Sequence, residues 1–230
     1  MIPLRDTIPS STLPVVTGGL IAVNMLAFFY ELSLRNDLDM FIVQYGAVPQ
    51  RFFLAAQRGD VSAVSRILPL FTSMFLHAGW IHVLGNMLYL WIFGDNVEDR
   101  LGHGRFLLFY VLCGLAAALT QIYINPSSKL PMVGASGAVA GVLGAYLLLF
   151  PQARVLALLP IAFFVQVVEI PAFIFLLFWF LMQFLSGAAA ITAAHSMTEG
   201  VAWWAHIGGF VSGMALAFLF PKRKRQLWMR

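Results

Sequence analysis

The chain has 230 residues, of which 60% are apolar and 10% are charged. An ordinary soluble domain carries about 25% charged residues, so this composition excludes one. The net charge of +4 does not point to nucleic acid, because five of the fourteen basic residues lie among the last nine, after an apolar run. We expect a single membrane domain over residues 1–230, without a cofactor and without a nucleic-acid partner.

Six apolar runs follow one another along the chain. A helix needs ~20 apolar residues to cross a bilayer. The sequence therefore predicts an all-α membrane protein, a bundle of six transmembrane helices. The predicted spans cover about 14–33, 75–95, 105–124, 133–150, 169–186 and 201–220.

Two segments between the spans have their own character. Residues 34–74 form a long first loop that mixes charges with apolar patches, and we expect short interfacial helices there. Residues 151–168 are apolar but are interrupted by Pro151 and Pro160. They are too short and broken for a span, so we predict an interfacial or re-entrant connection.

The charge distribution predicts the orientation. Six spans place the tails, residues 1–13 and 221–230, on the same side, and the basic run 222–225 marks that side as cytoplasmic. On this topology nine basic residues lie inside and five outside. With short termini and no transit peptide, we expect a bacterial plasma membrane.

Polar side chains interrupt three of the predicted spans. His77, His82 and Asn86 lie in the second span, Ser136 in the fourth and His206 in the sixth. Such groups are costly inside a membrane and are functional candidates by default. Even-numbered spans run in the same direction, so these groups should lie at similar depth near the outer side.

Two stripes of small residues can bring these groups together. One stripe is Gly137, Gly141 and Ala145, and the other is Ala205, Gly209 and Gly213. Small residues at four-residue spacing let helix backbones approach closely. If the stripes face each other, Ser136 lies beside His206.

A serine beside a histidine suggests acyl-transfer chemistry. His206 could act as the base that activates Ser136. The oxyanion would be bound by the Ser136 backbone N–H, which is free at a helix start, and by the side chains of His82 and Asn86. His77 is better explained as an interfacial histidine near the helix start, although it could also support the network on the substrate side.

Four motifs in this order resemble those of the rhomboid family of intramembrane serine proteases. Gly134–Gly137 matches the G-x-S-G motif, Ala205–Gly209 matches A-H-x-x-G, His82–Asn86 matches H-x-x-x-N and Glu98–Gly102 matches E-x-R-x-G. The resemblance implies a Ser–His dyad without a carboxylate, supported by the glycines at 134, 137 and 209. It also implies that the substrates are transmembrane segments, cleaved near their outer ends within the lipid bilayer.

The resemblance also sets two expectations about surrounding residues. The fifth span and the loop before the sixth are the expected gate for substrates. Many family members carry an aromatic residue four positions after the serine, packed against the histidine, and here that position is Ala140. Trp203 or Trp204 could provide the ring instead.

Other functions fit the sequence less well. The closest alternative is a non-catalytic rhomboid-like scaffold that binds membrane-protein clients. A transporter or channel would need broken helices or paired carboxylates at the midplane, which the sequence does not suggest. A metal site is disfavoured, because His77 and His82 do not share a helix face and no carboxylate joins them.

Overall fold

Helices form most of the structure. The structure is a computed structural model that describes residues 1–57, 66–161, 164–192 and 201–221. The α-helices of this part are α1 (Val15–Ser33), α2 (Leu38–Tyr45), α3 (Pro49–Gln57), α4 (Leu68–Thr72), α5 (Trp80–Leu101), α6 (His103–Ile124), α7 (Ser136–Leu149), α8 (Ala172–Thr192) and α9 (Trp203–Leu219). The other elements described are two 3₁₀ helices, Arg35–Asp37 and Ser73–Phe75, and the strands β1 (Ile2–Asp6), β2 (Arg154–Ile161) and β3 (Phe164–Pro171).

The six predicted spans correspond to α1 and α5 to α9, so the fold is the predicted six-helix membrane bundle. Within the described residues, α1, α6 and α8 are long and apolar enough to cross a bilayer as single straight helices. The 14 residues of α7 reach only about 21 Å. The hydrocarbon core is ~30 Å thick, so at least one end of α7 must lie inside the membrane.

The second span begins with a sharp bend. The chain turns by 91° between the segment 68–75 and α5, which starts at Trp80. The predicted span of about 75–95 therefore begins five residues early. His77 lies in the bend before the helix, and not on the helix itself.

The helices α7 and α9 pack with their backbones in contact. A Cβ at Gly209 would overlap the carbonyl oxygen of Gly137, and a Cβ at Gly213 would overlap that of Gly141. The two stripes of small residues therefore face each other, as their four-residue spacing predicts. This contact sets the relative position of the two helix starts.

Apolar side chains lie on the outside of the bundle as well as in its core. Tyr110, Tyr146 and Phe93 are fully buried between helices. On the outer surface, Leu26 and Phe218 are 68% and 72% exposed. An outer surface of this kind is suited to lipid, because a water-soluble bundle would place polar side chains there.

A three-stranded antiparallel sheet lies where the sequence predicted an interfacial or re-entrant connection. The strands β2 and β3 form a hairpin between α7 and α8, and β1 pairs with the outer edge of β2. Val155 and Ala157 face the core and are fully buried. Arg154 and Glu169 form an ion pair, with Nε and Oε1 2.6 Å apart. The apolar run at 151–168 therefore supplies one buried sheet face.

The end of α5 anchors the start of the chain. The buried carboxylate of Glu98 accepts the backbone N–H groups of Val16 and Thr17 at 2.9 and 2.7 Å, which caps α1. Asp99 accepts the hydroxyls of Ser11 and Thr12 at 2.7 and 2.8 Å. The motif at 98–102 thus serves a structural role at the end opposite to His82.

The first loop contains the short helices that the sequence predicts. In the described part of this loop, residues 34–57 and 66–74, they are α2, α3 and α4, with a 3₁₀ turn near each end. Ala47 pairs with Met132 as an isolated bridge, which ties this loop to the segment before α7. The basic run 222–225 and most of the loop before α9, residues 193–200, lie outside the described residues.

Candidate active site

Ser136 is the first residue of α7, and the chain before it has an unusual conformation. As a first-turn residue, Ser136 has a backbone N–H with no carbonyl one turn earlier in the helix. Gly134 has a φ of +124°, which L side chains rarely adopt, and a Cβ there would lie 2.6 Å from His82 Nε2. Glycine is therefore required at 134 by backbone conformation and by the approach of His82.

His206 lies in the first turn of α9, directly beside Ser136. Its Nε2 is 2.8 Å from Ser136 Oγ. The start of α9 is held by α6, because Gln121 Oε1 accepts the backbone N–H of Ala205 at 3.3 Å. The arrangement has the distance that a general base needs to activate a serine hydroxyl.

His82 and Asn86 lie one turn apart on α5 and face the same site. His82 Nδ1 accepts the backbone N–H of Ala78 at 3.4 Å, so the neutral ring carries its hydrogen on Nε2, toward Gly134. Asn86 is buried, and its Nδ2 has no hydrogen-bond partner among the described residues. Both side chains therefore offer donors in the region of Ser136.

His77 is buried beside the turn that precedes Ser136, which fits its second expected role, support of the site, better than a place at the interface. It is 2% exposed, and its backbone N–H donates to the carboxylate of Glu31 at 3.1 Å. Its Nε2 accepts the backbone N–H of Ala135 at 3.5 Å. His77 thus stabilises the turn before α7 through the hydrogen bond with Ala135. Glu31, a buried carboxylate in α1, was not singled out by the sequence analysis.

Two residues of α8 complete the surroundings of His206, and the sequence analysis missed both. Gln183 Oε1 lies 2.7 Å from His206 Nδ1. The Trp179 ring lies 5.9 Å from the His206 ring, and Trp203 packs edge to face at 6.2 Å. Trp203 is therefore one of the rings that replace the aromatic residue absent at Ala140, whereas Trp204 packs against Phe184 instead.

A cavity of about 810 Å³ opens between α5 and α8 and reaches the Ser–His pair. Its walls include His82, Asn86 and Tyr89 on α5, with Trp179 and Gln183 on α8. A smaller cavity of about 30 Å³ is also lined by Ser136, together with Gly114, Ala117, Met132 and other residues. Ser136 thus lines both the large cavity and the small one.

The groups around Ser136 fit acyl transfer. A hydroxyl, a histidine base and three donors converge, which is the set needed to attack a carbonyl and bind the resulting oxyanion. The described residues hold no cluster of three His, Cys, Asp or Glu side chains suited to a metal ion. The catalytic and supporting roles stay predictions for seven residues, which are Ser136, His206, His82, Asn86, Gly134, Gly137 and Gly209.

Comparison with known proteins agrees with the sequence motifs. Residues 64–223 match the family model described as Rhomboid domain. The chain is 34% identical to RHOMBOID-like protein 1 of Arabidopsis thaliana over 70% of its own length and 37% of that relative. It is 33% identical to Rhomboid protease GluP of Bacillus subtilis over 58% of its length and 24% of the relative.

A third relative is a mitochondrial protein of an animal. The chain is 31% identical to Presenilin-associated rhomboid-like protein A, mitochondrial, of Danio rerio, over 50% of its length and 31% of the relative. The chain thus spans less than half the length of each of these three relatives. The similarity concerns the membrane domain that contains the site.

Proposed function

The chain belongs to the rhomboid family, and we propose that it is an intramembrane serine endopeptidase that cleaves transmembrane segments near the outer membrane face. The observation that carries the proposal is the 2.8 Å distance between Ser136 Oγ and His206 Nε2 at the end of a large groove. The similarity to a relative named Rhomboid protease GluP supports the same reaction class.

The proposed reaction begins with attack by Ser136 on the scissile carbonyl. His206 Nε2 takes the hydroxyl proton as the C–O bond forms, and the developing oxyanion is bound by the Ser136 N–H, Asn86 and His82. His206 then gives the proton to the leaving amine as the C–N bond breaks. Water, activated by His206, hydrolyses the acyl-enzyme and releases Ser136.

The position of Ser136 explains how water and a membrane substrate can meet. Because α7 is too short to cross the bilayer, at least one of its ends must lie inside the membrane, and we propose that this is the start of the helix, on the outer side. The groove between α5 and α8 would admit the substrate from the lipid. A helical peptide bond hides its carbonyl in an i to i−4 hydrogen bond, so the substrate must unwind locally.

The small cavity beside Ser136 suggests a limit on the substrate side chain. A volume of about 30 Å³ holds a water or a small side chain, but no aromatic ring. Substrates with small or helix-weakening residues at the cleavage point are therefore the expected class. The partners of this protein would be single-span or multi-span membrane proteins, together with the surrounding lipid.

The membrane domain is integral and multi-pass, and its orientation belongs to the proposal. We propose that both termini face the cytoplasm, as the basic residues at 222–225 indicate. The relatives come from a bacterium, a plant and an animal mitochondrion. A bacterial plasma membrane stays a prediction.

The decisive test is labelling of the detergent-purified protein with a fluorophosphonate probe, which needs no known substrate. Wild-type protein should be labelled, and Ser136→Ala and His206→Ala should each lose labelling. Ser212→Ala is the matched control, because this serine lies on α9 and donates to the Gly209 carbonyl at 2.8 Å. It should be labelled like wild type.

Cleavage of a model single-span protein completes the test. If the protein is a protease, S136A should abolish cleavage of this substrate, whereas S212A should leave cleavage intact. A folded wild-type protein that neither reacts with the probe nor cleaves the model protein would favour the alternative function, a non-catalytic scaffold that binds membrane-protein clients.

A further inference from the structure

Gln183 interrupts the apolar surface of α8. The neighbours on either side along the chain, Leu181, Met182, Phe184 and Leu185, are exposed on the outside of the bundle. Gln183 itself is half-buried and faces the cavity. A glutamine amide facing lipid would be costly, so its inward orientation calls for a polar partner.

That partner is His206. The two nitrogens of the imidazole ring are both engaged: Nδ1 lies 2.7 Å from Gln183 Oε1, and Nε2 lies 2.8 Å from Ser136 Oγ. Trp179, one helical turn before Gln183, packs against the same ring at 5.9 Å. The histidine is therefore held between α7 and α8.

The hydrogen bond has a direction that matters for the reaction. An amide oxygen can only accept, so His206 Nδ1 must donate its hydrogen to Gln183. A neutral imidazole carries one N–H, and Nε2 is then left with a lone pair toward Ser136. The opposite tautomer would place a hydrogen on Nε2 and could not take the serine proton.

We propose that Gln183 is a positioning residue for His206, which fixes the tautomer and the ring orientation in which Nε2 accepts the Ser136 proton. The inference rests on the proposed protease function. It extends the two-residue dyad to a chain Gln183–His206–Ser136 that includes the groove-lining helix α8. When His206 becomes protonated, its Nδ1–H keeps Gln183 Oε1 as acceptor.

The test uses Gln183→Met and Gln183→Glu in a cleavage assay on a model single-span protein. Methionine has a similar length but provides no strong acceptor, and we expect kcat to fall about tenfold with little change in KM. Glutamate keeps an acceptor oxygen opposite Nδ1 and should restore most of the lost kcat. Leu185→Met, on the lipid-facing side of α8, is the control and should match wild type.

The outcomes show whether Gln183 positions His206 or only contributes to folding or to substrate binding. Thermal unfolding of Q183M within a few degrees of wild type ensures that the comparison concerns folded protein. An unchanged kcat in Q183M, an effect on KM alone, or equal loss in Q183M and Q183E would overturn the proposal. Failure of wild type itself to cleave and to bind the fluorophosphonate probe would instead refute the protease function.

Discussion

At the scale of single residues, the amide nitrogen of Asn86 leads to a prediction about kcat. Its Nδ2 is buried without a partner in the part of the chain that the structure describes, as expected of a donor kept for the oxyanion. Asn86→Ala should lower kcat by roughly a hundredfold with little change in KM or in melting temperature. Steady-state cleavage of a model membrane substrate and a thermal melt measure both quantities.

Asn24 provides the matched comparison for Asn86. It is also a buried asparagine within a span, but its Nδ2 donates to the Leu20 carbonyl at 2.7 Å, within α1. Asn24→Ala should leave kcat unchanged. A wild-type kcat in N86A would remove Asn86 from the proposed oxyanion site.

The sequence was sufficient to predict that Ser136 and His206 lie together, but not which residues hold them in place. The motifs and the small-residue stripes predicted that Ser136 and His206 meet. Gln183 was overlooked, although a glutamine in an otherwise apolar span meets the same criterion that selected Asn86. Glu31 could not be assigned from sequence, because its partner is a backbone N–H in a bend that the hydropathy pattern does not reveal.

At the scale of elements, the contact between α7 and α9 predicts a strong effect of one methyl group. A Cβ at Gly209 would overlap the Gly137 carbonyl oxygen and lie 3.3 Å from Ala140 Cβ. Gly209→Ala should therefore separate the helices, cost about 1–3 kcal/mol of stability and lower cleavage by tenfold or more. Thermal unfolding and the cleavage rate report the two effects.

Gly19→Ala distinguishes steric overlap from a general effect of replacing glycine in a span. A Cβ at Gly19, on α1, would have no atom within 4 Å. This variant should retain wild-type cleavage and a melting temperature that is unchanged or slightly higher. Wild-type behaviour of G209A would mean that the two helices need no such close approach.

The helices were more predictable than the sheet for a physical reason. Long apolar runs satisfy a bilayer only as helices, so the positions of the spans followed from hydropathy. The run at 151–168 is too short to span, and its Val, Leu and Ile content suits a buried strand as well as an apolar helix. Two pairings decide for the strand, namely the hairpin with β3 and the contact with residues 2–6, which lie far away in the sequence.

At the scale of the whole molecule, the end of α5 should govern stability without affecting chemistry. Glu98 caps α1, and it lies 16 residues beyond His82, or about 24 Å along the helix. Glu98→Ala would leave two N–H groups of α1 uncapped and should lower stability by about 1–3 kcal/mol, with unchanged kcat at low temperature. A thermal melt and a cleavage assay below the transition test this.

Glu169→Gln is the comparison for Glu98. Glu169 is about half exposed and paired with Arg154, and exposed ion pairs contribute little. Its substitution should hardly change the melting temperature. Equal losses of stability in the two variants would contradict the prediction that the Glu98 end of α5 stabilises the protein. A loss of kcat in E98A below its melting transition would contradict the prediction that this end takes no part in the chemistry.

The pairing of β1 with β2 has a consequence for biosynthesis. Residues 2–6 leave the ribosome well before their partners at 155–158, which follow only after four spans have been made. The cap of α1 likewise waits for Glu98. The first helix must therefore enter the membrane on hydrophobicity alone, and the N-terminal segment stays unpaired until late in translation, when closing the sheet joins the first and fourth spans.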